Sequence, residues 1–109
     1  KEQGLARFSS LDAATAHNLV RGLYPWPGAY AFLQGKRVKL LRSKPSALSL
    51  KGVPGGFWFD SGRLFVNCAQ GVLELLELQP EGKRPVLPAE FENGIQSLPH
   101  QFDPEPEKA

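Results

Sequence analysis

Reactive groups are scarce in this chain. It has a single cysteine, Cys68, so no internal disulfide can form, and no CxxC or Cys/His spacing offers a metal site. Cys68 sits in a hydrophobic alternation, where a buried inert thiol is expected. The two histidines, His17 and His100, have no carboxylate or nucleophile at a suggestive spacing. No glycine-rich phosphate loop opens a helix, and there is no HExxH motif or nucleophile elbow. The nearest thing to an acid pair, Glu74 and Glu77, lies on a predicted strand, where a separation of three puts the two side chains on opposite faces. Together these absences point to a chain that is not itself a catalyst. Long apolar runs are missing too: none approaches the ~18 residues of a membrane span, and the N-terminus has no signal-peptide pattern. The expectation is a soluble, cytoplasmic protein with no membrane partner. A beginning at Lys1 and an ending in PEPEKA suggest a piece of something longer.

The most informative absence is of acidic charge. Between Ala13 and Phe59 there is no Asp or Glu, while Arg21, Lys36, Arg37, Lys39, Arg42, Lys44 and Lys51 all fall there. Acids gather later, at Glu74, Glu77, Glu81, Glu90 and Glu92 and in the tail. A net charge of +2 hides this asymmetry, which gives one half of the sequence a surface suited to a polyanion.

A chain of 109 residues is long enough for one domain with a single core. Residues 1–8 read as a lead-in linker, 9–97 as the folded domain, and 98–109 as a tail that is extended or disordered after Phe102. Ser9 or Ser10 is a candidate N-cap for a helix from about Leu11 to Arg21, with Asp12 in its first turn. Its apolar stripe is Leu11, Ala16, Leu19, Val20 and Leu23. His17 and Arg21 are neighbours on one face, His17 as a solvated or hydrogen-bonded side chain.

The stretch Asn18 to Tyr30, NLVRGLYPWPGAY, follows as a rigid joint, since Pro25 and Pro27 fix φ and Gly28 frees it. Tyr24, Trp26 and Tyr30 are rings that either plug the end of a small barrel or stack on a nucleobase, and plugging is the preferred reading. On it, Trp26→Ala would cost roughly 3–5 kcal/mol of stability.

Five strands are then predicted: Ala29–Leu33, Lys36–Arg42, Phe57–Phe59, Arg63–Cys68 and Val72–Gln79. In the second, Val38 and Leu40 point to the core with Arg37 and Lys39 opposite, and Leu41 breaks the register as a bulge would. Ser43–Gly56 reads as a long irregular connection. In the fifth strand Glu74 and Glu77 should face outward. Pro88–Gly94 is a short helix. The fold class is mainly β: a small five-stranded Greek-key, OB-like barrel, closed or nearly so, with an N-terminal helix and a short C-terminal helix.

The string HNLVRGLYPWPGAY, then GKRVKLL, then CAQGVLELLELQPEGKRPVLPAEFENG, resembles the C-terminal domain of the methionyl-tRNA formyltransferase family. The resemblance covers roughly Ser9 to Gly94 and implies an OB-like barrel. It also implies a parent in which an N-terminal Rossmann-like catalytic domain transfers a formyl group from 10-formyltetrahydrofolate to methionyl initiator tRNA. That donor would belong to the other domain, whose catalytic Asn, His and Asp and SLLP-type loop are not in this chain, so no cofactor is expected here. Sugar-nucleotide formyltransferases and the hydrolase part of formyltetrahydrofolate dehydrogenase carry a similar domain, in which a structural or protein-interaction role is the alternative.

The resemblance implies a tRNA-holding module that grips phosphates without reading sequence. Carried to this chain, the candidates are Lys36, Arg37, Lys39 and Arg42 on the first hairpin, Lys44 and Lys51 in the long connection, and Lys83 and Arg84 in the late turn. Arg21 matches the family's helix-end arginine, where burial or capping competes with phosphate contact. The family's Asp-Trp pair before the helix is replaced here by Arg7-Phe8.

Overall fold

Alternating apolar positions between Ala29 and Pro80 form the five strands of one antiparallel sheet. The computed structural model describes residues 4–104. It contains α1 (Ala13–Leu23), β1 (Ala29–Leu33), β2 (Lys36–Ser46), β3 (Phe57–Asp60), β4 (Arg63–Asn67), β5 (Val72–Pro80) and α2 (Pro88–Gly94). Lys1–Gln3 of the lead-in and Glu105–Ala109 of the tail, including most of the stretch read as extended or disordered, lie outside the described residues.

The sheet runs β1-β2-β5-β4-β3. Successive hairpins join β3, β4 and β5, and β2 lies beside β5, which is the Greek-key arrangement expected. The barrel is not closed: β1 and β3 are the two edges of the sheet. The chain after α2 lies between them. Phe57 N donates to His100 O (3.0 Å), Phe102 N to Gly55 O (3.0 Å) and Asp103 N to Phe32 O (2.7 Å). Phe102 is buried and stacks on Phe8 at 5.6 Å, so both ends of the described chain meet in the core.

The first helix starts later than Ser9 or Ser10 would set it. Phe8–Ser10 is a single 3-10 turn that buries Phe8, and the N-cap is Asp12, whose carboxylate accepts a hydrogen bond from Thr15 N at 2.8 Å. That bond holds the Asp12 carboxyl below the usual carboxylate range. The helix buries Ala13, Ala16 and Val20 against β2 and β5. Small residues let it lie close: a Cβ on Gly71, where φ is +83°, would stand 3.2 Å from Ala13 Cβ.

The joint after the helix departs from the plug reading. Trp26 is 81% exposed and Tyr24 53%, and only Tyr30 of the three rings is buried. Residues ahead of α1 pair with β1: Tyr30 N donates to Gly4 O and Ala6 N to Tyr30 O, both at 2.8 Å, and Leu5 and Ala6 are buried beside it. With its ring in solvent, Trp26 is no core anchor. The peptide bonds Tyr24–Pro25 and Trp26–Pro27 are both cis.

β2 continues to Ser46, four residues beyond the predicted Arg42, so the irregular connection to β3 is correspondingly shorter. The register breaks at Leu41 as anticipated, between Leu40↔Leu78 and Arg42↔Glu77, and again before Ser43↔Leu75, where Leu76 is the extra residue on β5. No helix among the described residues is long and apolar enough to cross a membrane.

Candidate nucleic-acid interface

The two bulges decide which side chains share a face. Strand alternation starting from Arg37 and Lys39 would carry Arg42 and Lys44 to the core side with Val38 and Leu40. The extra residue at Leu41 shifts the phase, so Arg42 and Lys44 join Arg37 and Lys39 on the outer face and Ser43 turns inward, buried. There Ser43 Oγ and His17 Nδ1 of α1 share a hydrogen bond of 3.0 Å, which pins the shifted strand to the helix.

On β5, Leu76 performs the matching shift. Glu77 stands opposite Arg42 and Glu74 opposite Lys44, and directly opposed residues project from the same face. This overturns the expectation from strict alternation that the two glutamates occupy opposite faces and agrees with the reading that sets both outward, but Glu74, expected in solvent, is 4% exposed. Arg42 Nε lies 3.0 Å from Glu77 Oε1, and Lys44 Nζ lies 3.9 Å from Glu74 Oε1. A cation absent from the candidate set, Arg63, also holds Glu74, through Nε and Nη2 at 2.9 Å each. These bonds keep the Glu74 carboxyl below the usual carboxylate range against the opposing effect of burial, with the charges of Arg63 and Lys44 adding to them. Nothing in the sequence marks Arg63, because its partner becomes a neighbour only once β4 and β5 pair.

The remaining cations divide in space. Arg37, Lys39, Phe32, Gln79 and Gly82 border a groove of about 390 Å³ on the outer face. A second depression, of about 410 Å³, shares Arg37, Pro80 and Glu81 with the first and is rimmed by Lys36 and Lys83 over a floor that includes Phe91 and Ile95. Lys36, Arg37, Lys39 and Lys83 therefore converge, and none of the four has an ion-pair partner among the described residues. Arg37 lays its guanidinium over the Tyr30 ring, 4.4 Å from the centroid. Two acids line these depressions: Glu81, whose Oε1 accepts from Arg37 N at 2.9 Å, and Glu90, which pairs with Arg84.

Lys51 and Arg84 stand apart from this cluster. Lys51 Nζ sits 5.3 Å from the centroid of Trp58 in the connection before β3, and Arg84 Nη2 pairs with Glu90 at 2.7 Å. Arg21 is exposed in the last turn of α1, its Nε donating to Asn18 Oδ1 at 3.1 Å, so it is neither buried nor bonded to a helix-end carbonyl. The hairpin tip bearing Lys36 and Arg37 is fastened by Asp103, whose carboxylate oxygens accept from Gln34 N and Gly35 N at 2.8 Å each. No local pattern points to Asp103, which is 69 residues from Gln34.

Residues 1–96 match the family described as formyl transferase, C-terminal domain. Among curated proteins, the chain is 45% identical over 91 residues to a methionyl-tRNA formyltransferase of Paracoccus denitrificans, covering 84% of this chain and 29% of that protein. It is 37% identical over 94 residues to one of Thermodesulfovibrio yellowstonii, covering 86% of this chain and 30% of the relative. The chain thus spans about three-tenths of the length of these relatives. Among solved structures, HypX from Aquifex aeolicus shares the fold with a TM-score of 0.71 at 20% identity, over 96% of this chain and 19% of that one. The motif-level resemblance and the family match agree over the helix, the joint and all five strands, and the chain belongs to the formyl transferase C-terminal domain family.

Proposed function

We propose that this chain is the non-catalytic, tRNA-holding domain of a methionyl-tRNA formyltransferase. The parent enzyme would carry a Rossmann-like domain ahead of this one and take its formyl group from 10-formyltetrahydrofolate. A cytoplasmic location goes with that reading. The observation that carries it is the convergence of Lys36, Arg37, Lys39 and Lys83 around two adjoining depressions, none of the four in an ion pair among the described residues, in a chain whose curated relatives include methionyl-tRNA formyltransferases. Cations so arranged suit a phosphate backbone, giving contacts that position an RNA and weaken with salt.

Within the candidate set the four converging residues are the principal contacts. Arg42, Lys44 and Arg84 are secondary, because each already faces a glutamate. Lys51 lies to one side.

The test is a salt titration of binding to initiator tRNA, with Lys36→Glu/Lys39→Glu beside the unaltered chain. Binding that falls with salt and collapses on charge reversal supports the proposal. Absence of binding at low salt, or indifference to the reversal, would favour the alternative of a structural or interaction domain in another formyltransferase, such as one acting on a sugar nucleotide.

A further inference from the structure

Trp26 is the largest apolar side chain left in solvent, with 81% of its surface exposed, and no aromatic or cationic neighbour covers either ring face among the described residues. Pro25 and Pro27 restrict the backbone on both sides, so little freedom would be lost on binding. Tyr24, at 53% exposed, lies two residues before it.

The joint that carries this knob meets a cation. Two residues on, Gly28 adopts φ +92°, and a Cβ placed there would meet Lys39 Cδ at 3.6 Å and Nζ at 4.0 Å. The Lys39 side chain therefore runs along the backbone of the joint and also borders the outer-face groove with Arg37. The sequence on both sides, from Ala13 to Phe59, has no carboxylate. An exposed indole on a joint whose backbone touches Lys39, a groove-lining cation with no ion-pair partner among the described residues, suits single-stranded nucleic acid: the phosphates follow the cations and a base lies on the ring.

We infer that Trp26 is a stacking platform for an unpaired nucleobase of the bound RNA, with Lys39 on the adjoining phosphate. This rests on the tRNA-holding reading and adds to it a preference that phosphate contacts alone cannot give, for RNA with unstacked bases over a continuous duplex. The site has no base-edge readers on the ring itself, so it discriminates strandedness and not sequence.

The experiment compares the unaltered chain, Trp26→Ala and Trp26→Phe for binding to initiator tRNA, to a short single-stranded RNA and to a blunt duplex of the same length. Melting curves run in parallel. Trp26→Ala should weaken binding to the single strand and to tRNA by about tenfold and leave duplex binding and the melting temperature unchanged, while Trp26→Phe restores most of the loss. If the unaltered chain binds no RNA, the tRNA-holding reading fails and this inference with it. If it binds and Trp26→Ala binds the single strand equally well, only the stacking platform is overturned, and the knob is a contact for protein. A lowered melting temperature in Trp26→Ala, or equal losses on single strand and duplex, overturns it as well.

Discussion

Arg63 grips Glu74 through two hydrogen bonds of 2.9 Å while remaining 56% exposed itself, so a carboxylate that is 4% exposed is neutralised from the solvent side. Removing the guanidinium with Arg63→Met leaves the buried charge with only Lys44 at 3.9 Å, and we expect a lower urea midpoint at neutral pH. The Glu74 carboxyl is held below its ordinary 4.5 in the folded state, so its contribution is present above that value and is lost as pH falls through the folded pKa. Once Glu74 is protonated the pair no longer matters. The deficit of Arg63→Met should therefore shrink as the medium is acidified, and a deficit constant with pH would mean that packing of the arginine stem causes it.

The same face explains why the basic half of the sequence is less basic in space than along the chain. Arg42 faces Glu77 at 3.0 Å, whereas Lys39, three residues earlier, faces Gln79. On the tRNA-holding proposal, Lys39→Glu weakens binding more than Arg42→Glu does. Glu77→Gln releases Arg42 and should strengthen binding, steepening the log–log salt dependence by about 0.7–0.9 if one phosphate contact is gained. A salt series on the three variants measures this. An unchanged slope in Glu77→Gln would place Arg42 outside the interface.

Asp103 ties the end of the described chain to the hairpin that carries the cations. Its two carboxylate oxygens take the N–H groups of Gln34 and Gly35, both at positive φ (+52° and +81°), so the carboxylate satisfies a turn that has little else to bond. Asp103→Ala should cost about 1–3 kcal/mol and raise amide hydrogen exchange most at Gln34 and Gly35. An effect spread evenly over β1 and β2, with no excess at the turn, would contradict a local fastening role.

The strands were readable as short aliphatic and aromatic runs bounded by turn residues, and Leu41 betrayed its bulge by breaking the alternation of β2. Its partner at Leu76 was not, because VLELLEL supports two registers equally well until β2 is laid beside it. The burial of Glu74 and its place beside Glu77 followed from the bulge and were lost with it. Trp26 misled for another reason: an aromatic ring in a rigid turn resembles a core anchor, and which way the turn aims the ring depends on tertiary packing that the local sequence does not carry. Of the candidate cations, sequence identified the four that converge but could not separate them from Arg42, Lys44 and Arg84. That separation depends on cross-strand and turn-to-helix neighbours, the same kind of information that Asp103 needs across its 69-residue gap.

Cys68 provides a test of the core that is independent of RNA. It is fully buried, and burial first, then the nearby charge of Asp12, push its thiol from an ordinary 9.0 up to about 11. Thiolate is the reactive form, so disulfide-exchange reagents should label native Cys68 very slowly at neutral pH and promptly in denaturant. The linkage follows in sign: a group that ionises less readily when folded contributes fully below its unfolded pKa, and that contribution is lost as pH rises from about 9 to about 11, where the unfolded chain ionises first. Stability should decline over that window in the unaltered protein and decline less in Cys68→Ala, whose own cavity cost is independent of pH. Urea midpoints across the window measure the difference, and parallel alkaline profiles for the two proteins would show that Cys68 does not titrate with unfolding.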